Sequence, residues 1–191
     1  MIAMKGDIQE DRSGEAGRQP LAVVVMGVAG CGKSVVGTAL AESMGLRYIE
    51  GDELHPPENV ARMRRGEPLT DELREGWLDA VGAAIQASLE QGKAAIAACS
   101  ALKLRYRDRL RAKAPTLVFV YLAISPETAR SRVGGRSGHF MPASLVDSQF
   151  ATLEPPDAEE WAFTISGEKP IADVVDEARV LLEQVRSRAA E

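Results

Sequence analysis

The clearest chemistry in the 191-residue chain lies in one short run, Gly27-Val28-Ala29-Gly30-Cys31-Gly32-Lys33-Ser34. It matches the pattern G-x-x-x-x-G-K-[ST]. Its glycines let backbone N–H groups turn inward and approach an anion closely. Lys33 places a point charge on the outer phosphates, and Ser34 offers a hydroxyl to Mg²⁺. The run is preceded by the apolar, β-branched stretch Leu21 to Met26. It is followed by Ser34 to Met44, where Val35, Val36, Leu40 and Met44 recur at helical spacing. That strand–loop–helix order also aims a helix N-terminus at the anion. The chemistry implied is the binding of a nucleotide's phosphates, with Mg²⁺. Such a loop serves switches, motors, sensors and small-molecule kinases alike, so other residues must discriminate.

The second informative group is Asp52. No Asp follows an apolar run in the usual Walker B manner. Asp52 closes the strand Leu46 to Ile49, and ligands of parallel sheets bind at the carboxyl ends of strands. Two roles stay open for it: holding Mg²⁺ with Ser34, directly or through water, or orienting an acceptor hydroxyl. A solvated turn residue is the plain alternative. Small size and a second-strand acid favour an enzyme like the nucleoside monophosphate kinases over a motor or a GTPase switch. No His/Cys cluster has zinc spacing.

These groups need elements to position them. After the first helix, Gly45 reads as its C′ residue. Pro56 and Pro57 open a short helix that Gly66 ends. Thr70 is a good N-cap, with Asp71 and Glu72 at the positive end of a helix carrying Leu73, Trp77, Val81, Ala84, Ile85 and Ser88. Ala94 to Cys99 and Leu117 to Leu122 read as buried strands, and Phe163 to Ile165 as a weaker one. Lys103 to Ala112 reads as a basic, exposed helix, and Ser125-Pro126 starts another. Gly134 to Pro156 has little periodicity and reads as a mobile flap plus a loop. Ile171 to Val185 is the clearest amphipathic helix. Alternating strands and helices imply an α/β, three-layer P-loop NTPase with a parallel sheet, helices on both faces and a mobile lid. Residues 1–20 read as a disordered tail without a signal peptide's apolar region. Residues 21–191 then form one domain, with substrate-binding helices over about 54–90 and the lid over about 133–150.

Composition removes several classes. Apolar residues are 45% and charged residues 27%, as in an ordinary globular protein. No run approaches the ~18 apolar residues of a membrane span. A net charge of −5 argues against a nucleic-acid coat. Cys31 and Cys99 cannot make a disulfide scaffold, and a cytoplasmic location is the default expectation. Cys31, beside a helix N-terminus and Lys33, is expected to be reactive: alkylation should inactivate, and ATP should protect.

Several further stretches carry a family resemblance. They are Gly51-Asp-Glu-Leu-His-Pro56, Asn59-Val-Ala-Arg-Met63, Gly66-Glu-Pro-Leu-Thr-Asp71, Trp77-Leu78, Cys99-Ser-Ala-Leu-Lys103 and Tyr106-Arg-Asp-Arg-Leu-Arg111. Gly138-His-Phe-Met-Pro142 and Asp147-Ser-Gln-Phe-Ala-Thr-Leu-Glu-Pro-Pro156 complete the set and are far more family-specific than the phosphate loop. With these the chain resembles the small P-loop gluconokinases. It departs from them at Cys31, Val35, Arg62, Leu73 and Gly76. Arg62 stands where Lys is common, and the two are not interchangeable.

The resemblance implies ATP-dependent phosphorylation of D-gluconate to 6-phosphogluconate, and a homodimer. Gly27 to Ser34 would bind ATP, with Ser34 and Asp52 on the metal. Lys33, Asp52, Arg132 and Arg136 would be catalytic. Arg132 and Arg136, four apart at the entry to the flap, would clamp the transferring phosphate. A polyhydroxy carboxylate needs a cation and several hydrogen-bonding groups, and Asp52, His55, Arg62, Ser100, Lys103, Arg107 and His139 are the candidates. Lys103 and Arg107 read equally as a solvated basic face, His55 as a turn residue and His139 as a lid contact. The loop Ser166 to Pro170 would contact adenine by analogy with related kinases. Two other readings stay open: a different small P-loop kinase, acting on shikimate or a nucleoside monophosphate, and a catalytically silent ATP-binding sensor.

Overall fold

A computed structural model describes residues 20–135 and 144–188. Arg136, Gly138 and His139, the tail up to residue 19 and the middle of the expected lid lie outside the described residues.

The chain alternates strand and helix as follows: β1 (Ala22–Met26), α1 (Lys33–Met44), β2 (Arg47–Glu50), a 3₁₀ turn (Gly51–Leu54), α2 (Pro57–Arg64), α3 (Asp71–Glu90), β3 (Ala95–Ala98), α4 (Leu104–Arg111), β4 (Val118–Ala123), α5 (Pro126–Gly134), α6 (Ser144–Thr152), β5 (Ala162–Ser166) and α7 (Ile171–Arg188). The five strands form one parallel sheet in the order β2-β3-β1-β4-β5.

Side-chain alternation along the strands explains the layers. In β1, Val23 and Val25 face a core completed by Val36 and Leu40 of α1 and Val174, Ala178 and Leu182 of α7. Ala22, Val24 and Met26 face the other core, with Trp77, Leu78, Val81 and Ile85 of α3 and Tyr106 and Leu110 of α4. Both faces of the sheet are therefore covered at its centre, which is why β1, β3 and β4 lack a polar alternation, while the edge strands β2 and β5 keep exposed polar residues.

The expected helix ends are present. Gly45 adopts φ 65° and its N–H closes α1, and the Thr70 hydroxyl accepts from Leu73 N–H at the start of α3. Two expectations are corrected. The segment after Gly134 contains a helix, α6, whose Leu145 and Val146 are buried. Helix α4 is not an exposed basic helix, since Tyr106, Arg107 and Leu110 are buried in it. Among the described residues no helix is long and apolar enough to cross a membrane.

Candidate active site

The phosphate loop leaves the carboxyl end of the central strand β1 and enters α1 through Gly32, at φ 101°. That left-handed backbone is where glycine is cheapest. Lys33 Nζ donates to Val28 O at 3.0 Å, folding the ammonium back over the loop. Gly30, Gly32, Lys33 and Ser34 line one cavity together with Asp52, His55, Arg74 and Ser100. Helix α6 supplies its far wall through Leu145, Ser148 and Gln149. Gln149 Oε1 accepts from Ala29 N–H at 2.7 Å, in a buried bond spanning 120 residues.

Asp52 is set at the mouth of the β2–β3 pair. Glu50 carboxylate oxygens accept from Tyr48 OH at 2.7 Å and from Asp52 N–H at 3.3 Å. The carbonyl of that same Gly51–Asp52 peptide is held by Trp77, whose indole N–H donates to Gly51 O at 2.7 Å. A Cβ on Gly51 would stand 2.2 Å from Ala98 O, so the turn passes where only glycine fits. The Trp77 ring also stacks under His55, with centroids 4.1 Å apart and planes at 13°. Burial, reinforced by the charge of Arg74, pushes the His55 imidazole down to about 4, so the ring is neutral at neutral pH. His55 Nδ1 is buried with no hydrogen-bond partner among the described residues.

The expected cations separate sharply. Arg107 is no substrate ligand: its side chain is 1% exposed and its fork closes on Glu160 at 2.6 Å. Lys103 Nζ is taken by both oxygens of Asp71 at 3.0 Å, and Arg105 and the Tyr106 hydroxyl meet the same carboxylate. Lys103 does not line the cavity. Arg62 points outward to Glu67 at 3.4 Å, while Met63 beside it faces in. Arg132 lies across the loop, its Nη1 donating to Gly167 O at 2.8 Å and Gly30 O at 3.5 Å. Gly167 itself packs against the Cys31 carbonyl, which brings the loop after β5 beside the phosphate cradle. Cys31 contributes its backbone; its side chain is buried in the α1–α7 core.

Besides Lys33, the cation that faces the cavity among the described residues is Arg74, on the first turn of α3. Burial holds its guanidinium below its ordinary value, and its guanidinium carbon lies 6.0 Å from the Tyr106 ring. No ion pair among the described residues involves it, as the acids nearby are spent on Lys103, Arg105 and Arg109. A desolvated cation left without a carboxylate is a strong attractor for a ligand anion.

The donor set suits a metal-bound triphosphate. Loop amides and Lys33 form the anion cradle, and Ser34 and Asp52 present oxygens to the same cavity.

Comparison with known proteins then decides the family. The family model described as shikimate kinase matches residues 29–153, more than half of the chain. The gluconokinase of Gluconobacter oxydans is 44% identical over 163 residues, which is 85% of this chain and 92% of that protein. The chain belongs to the gluconokinase family. Two solved structures agree with this family fold. A gluconokinase from Sinorhizobium meliloti is 45% identical, with a TM-score of 0.79 over 90% of this chain and 96% of that one. A sugar kinase from Janibacter is 41% identical, with a TM-score of 0.82 over 86% and 95%. The fold is thus that of the P-loop kinases, as the order of elements implied. Of the residues lining this cavity, the sequence singles out those of the phosphate loop, Asp52, His55 and Ser100, but not Arg74 or Gln149.

Proposed function

We propose that this chain transfers the γ-phosphoryl group of ATP to the terminal hydroxyl of D-gluconate. The observation that carries the reading is one cavity holding the phosphate loop, Asp52 and the unneutralised Arg74. Arg74 suits the carboxylate of a sugar acid, and bidentate contact fits a guanidinium fork. His55, neutral and with a buried ring nitrogen, and Ser100 are suited to sugar hydroxyls.

Phosphoryl transfer asks the protein mainly for position and charge. The loop amides and Lys33 hold the donor. Asp52 accepts a hydrogen bond from the terminal hydroxyl and turns its oxygen toward the γ-phosphorus. As that P–O bond forms, the bond to the β-phosphate oxygen breaks, ADP departs and the hydroxyl proton passes to Asp52. Mg²⁺ supplies neutralisation of phosphate charge when bound, held by Ser34 and, directly or through water, Asp52. Arg132, with Arg136, is assigned to the transferring phosphate, and the loop around Gly167 to the adenine side. A homodimer and a cytoplasmic location belong to the same reading.

The test is ADP release from Mg-ATP with a panel of sugar acids, neutral sugars, shikimate and nucleoside monophosphates. Turnover on gluconate with little on the others is expected. Turnover on a monophosphate alone would overturn the proposal.

A further inference from the structure

Ala101 is the sole non-glycine among the described residues with positive φ, at 42°, and it is fully buried. It sits in the turn that joins β3 to α4, directly after Ser100. An L-residue avoids that backbone unless its surroundings impose it. Arg107 supplies the constraint. Its Nη1 donates to Ala101 O at 3.2 Å, Leu102 O at 3.4 Å and Glu154 O at 3.0 Å. Its Nε and Nη2 hold the two oxygens of Glu160 at 2.6 Å each. Glu154 closes the far side: its N–H donates to Leu102 O at 2.8 Å, and its carboxylate accepts from Leu104 N–H at 2.6 Å. On the cavity side, Gly27 N–H donates to Ser100 O at 3.3 Å.

We propose that Arg107 is a positioning residue for phosphoryl transfer. Through the carbonyls of Ala101 and Leu102 it holds the turn that presents Ser100 to the acceptor. The proposal rests on the reading that Ser100 stands on the acceptor side of the cavity. Arg107 never meets substrate; it keeps a left-handed alanine in place, and Ser100 follows. A residue serving only global stability would lower the folded fraction and the apparent kcat, and would leave the KM of the folded molecules unchanged.

The full chain is tested as Arg107→Met, Arg107→Met with Ala101→Gly, and Ser100→Ala, with KM measured for gluconate and for ATP. Arg107→Met should raise the gluconate KM about tenfold or more, with the ATP KM moving less than about threefold. Adding Ala101→Gly should recover at least about threefold, because glycine enters the left-handed region unaided. Ser100→Ala should raise the gluconate KM about fivefold or more. An effect of Ser100→Ala with none of Arg107→Met would overturn the clamp alone. No effect of Ser100→Ala would overturn the placement of Ser100, and the clamp's role with it. Failure of Ala101→Gly to recover any affinity would remove the turn as the route. If Arg107→Met does not fold, Glu160→Gln keeps the shape and removes the charge. It should raise the gluconate KM about threefold, again reversed by Ala101→Gly, and an unchanged KM would overturn the proposal.

Discussion

His55 lies flat against Trp77, with ring centroids 4.1 Å apart, and the same indole ties down the Gly51 carbonyl at 2.7 Å. One buried side chain therefore sets both a cavity-facing imidazole and the peptide that leads into Asp52.

The stack fixes a pH dependence. Burial, helped by Arg74, brings His55 from its ordinary 6.5 down to about 4. The unfolded chain takes up a proton here below about pH 6.5, which the folded chain refuses until about pH 4. The stability contributed by the neutral ring is complete above pH ~6.5 and lost as pH falls toward ~4, at most about 3 kcal/mol in all. Urea unfolding across that window should show the loss, and His55→Phe should flatten it. The chain has 2 histidines, so NMR titration of the folded protein can follow this ring directly.

Arg74 predicts opposite effects on binding and folding. Arg74→Met should raise the gluconate KM about 10- to 100-fold, the size of a lost charge-assisted contact. The folded protein should be as stable or more stable, since a desolvated and unpaired charge is removed. Paired kinetics and denaturant titration check both. A weaker fold with an unchanged KM would place the guanidinium outside the acceptor site.

Gly51 is closed to any side chain. In Gly51→Ala the new methyl group would meet Ala98 O at 2.2 Å, a backbone atom that cannot swing aside. The expected cost is about 2 kcal/mol or more, read as a lower melting temperature. The Asp52 carboxylate would shift with its turn, so kcat should fall at least about tenfold.

The thiols should be silent, against the expectation drawn from their sequence setting. Cys31 is 2% exposed and Cys99 fully buried, and burial pushes the Cys99 thiol up to about 12. Iodoacetamide at neutral pH should leave activity intact, and Ellman's reagent should count both thiols only after guanidinium unfolding. Rapid loss of activity on alkylation would mean that the loop opens far enough to expose Cys31.

What the sequence made legible has a physical pattern. Chemistry that depends on contiguous residues was readable: the cradle from Gly27 to Ser34, and the buried strands feeding it. Groups whose meaning depends on a distant partner were not. Arg107 resembles its basic neighbours until Glu160, 53 residues on, closes around it. Lys103 looks like a free cation until Asp71, 32 residues earlier, is seen to neutralise it. Arg74 is the converse case. Nothing in Leu73-Arg74-Glu75 announces a cavity-facing cation; it stands out only because Asp71, Glu75 and Asp79 pair with Lys103, Arg105 and Arg109. Helix α6 was hidden because its inward side includes polar Ser148 and Gln149, which serve the cavity instead of a core.

The bond from Gln149 to the Ala29 amide has a thermodynamic corollary. It joins the α6 wall of the cavity to the phosphate loop, so under the proposed function a ligand held at one would be felt at the other. Any such cooperativity must be mutual: the factor by which a non-hydrolysable nucleotide sharpens gluconate affinity is the factor by which gluconate sharpens nucleotide affinity. Two calorimetric titrations run in opposite order would report the same number, and Gln149→Leu would show how much of it passes through this side chain.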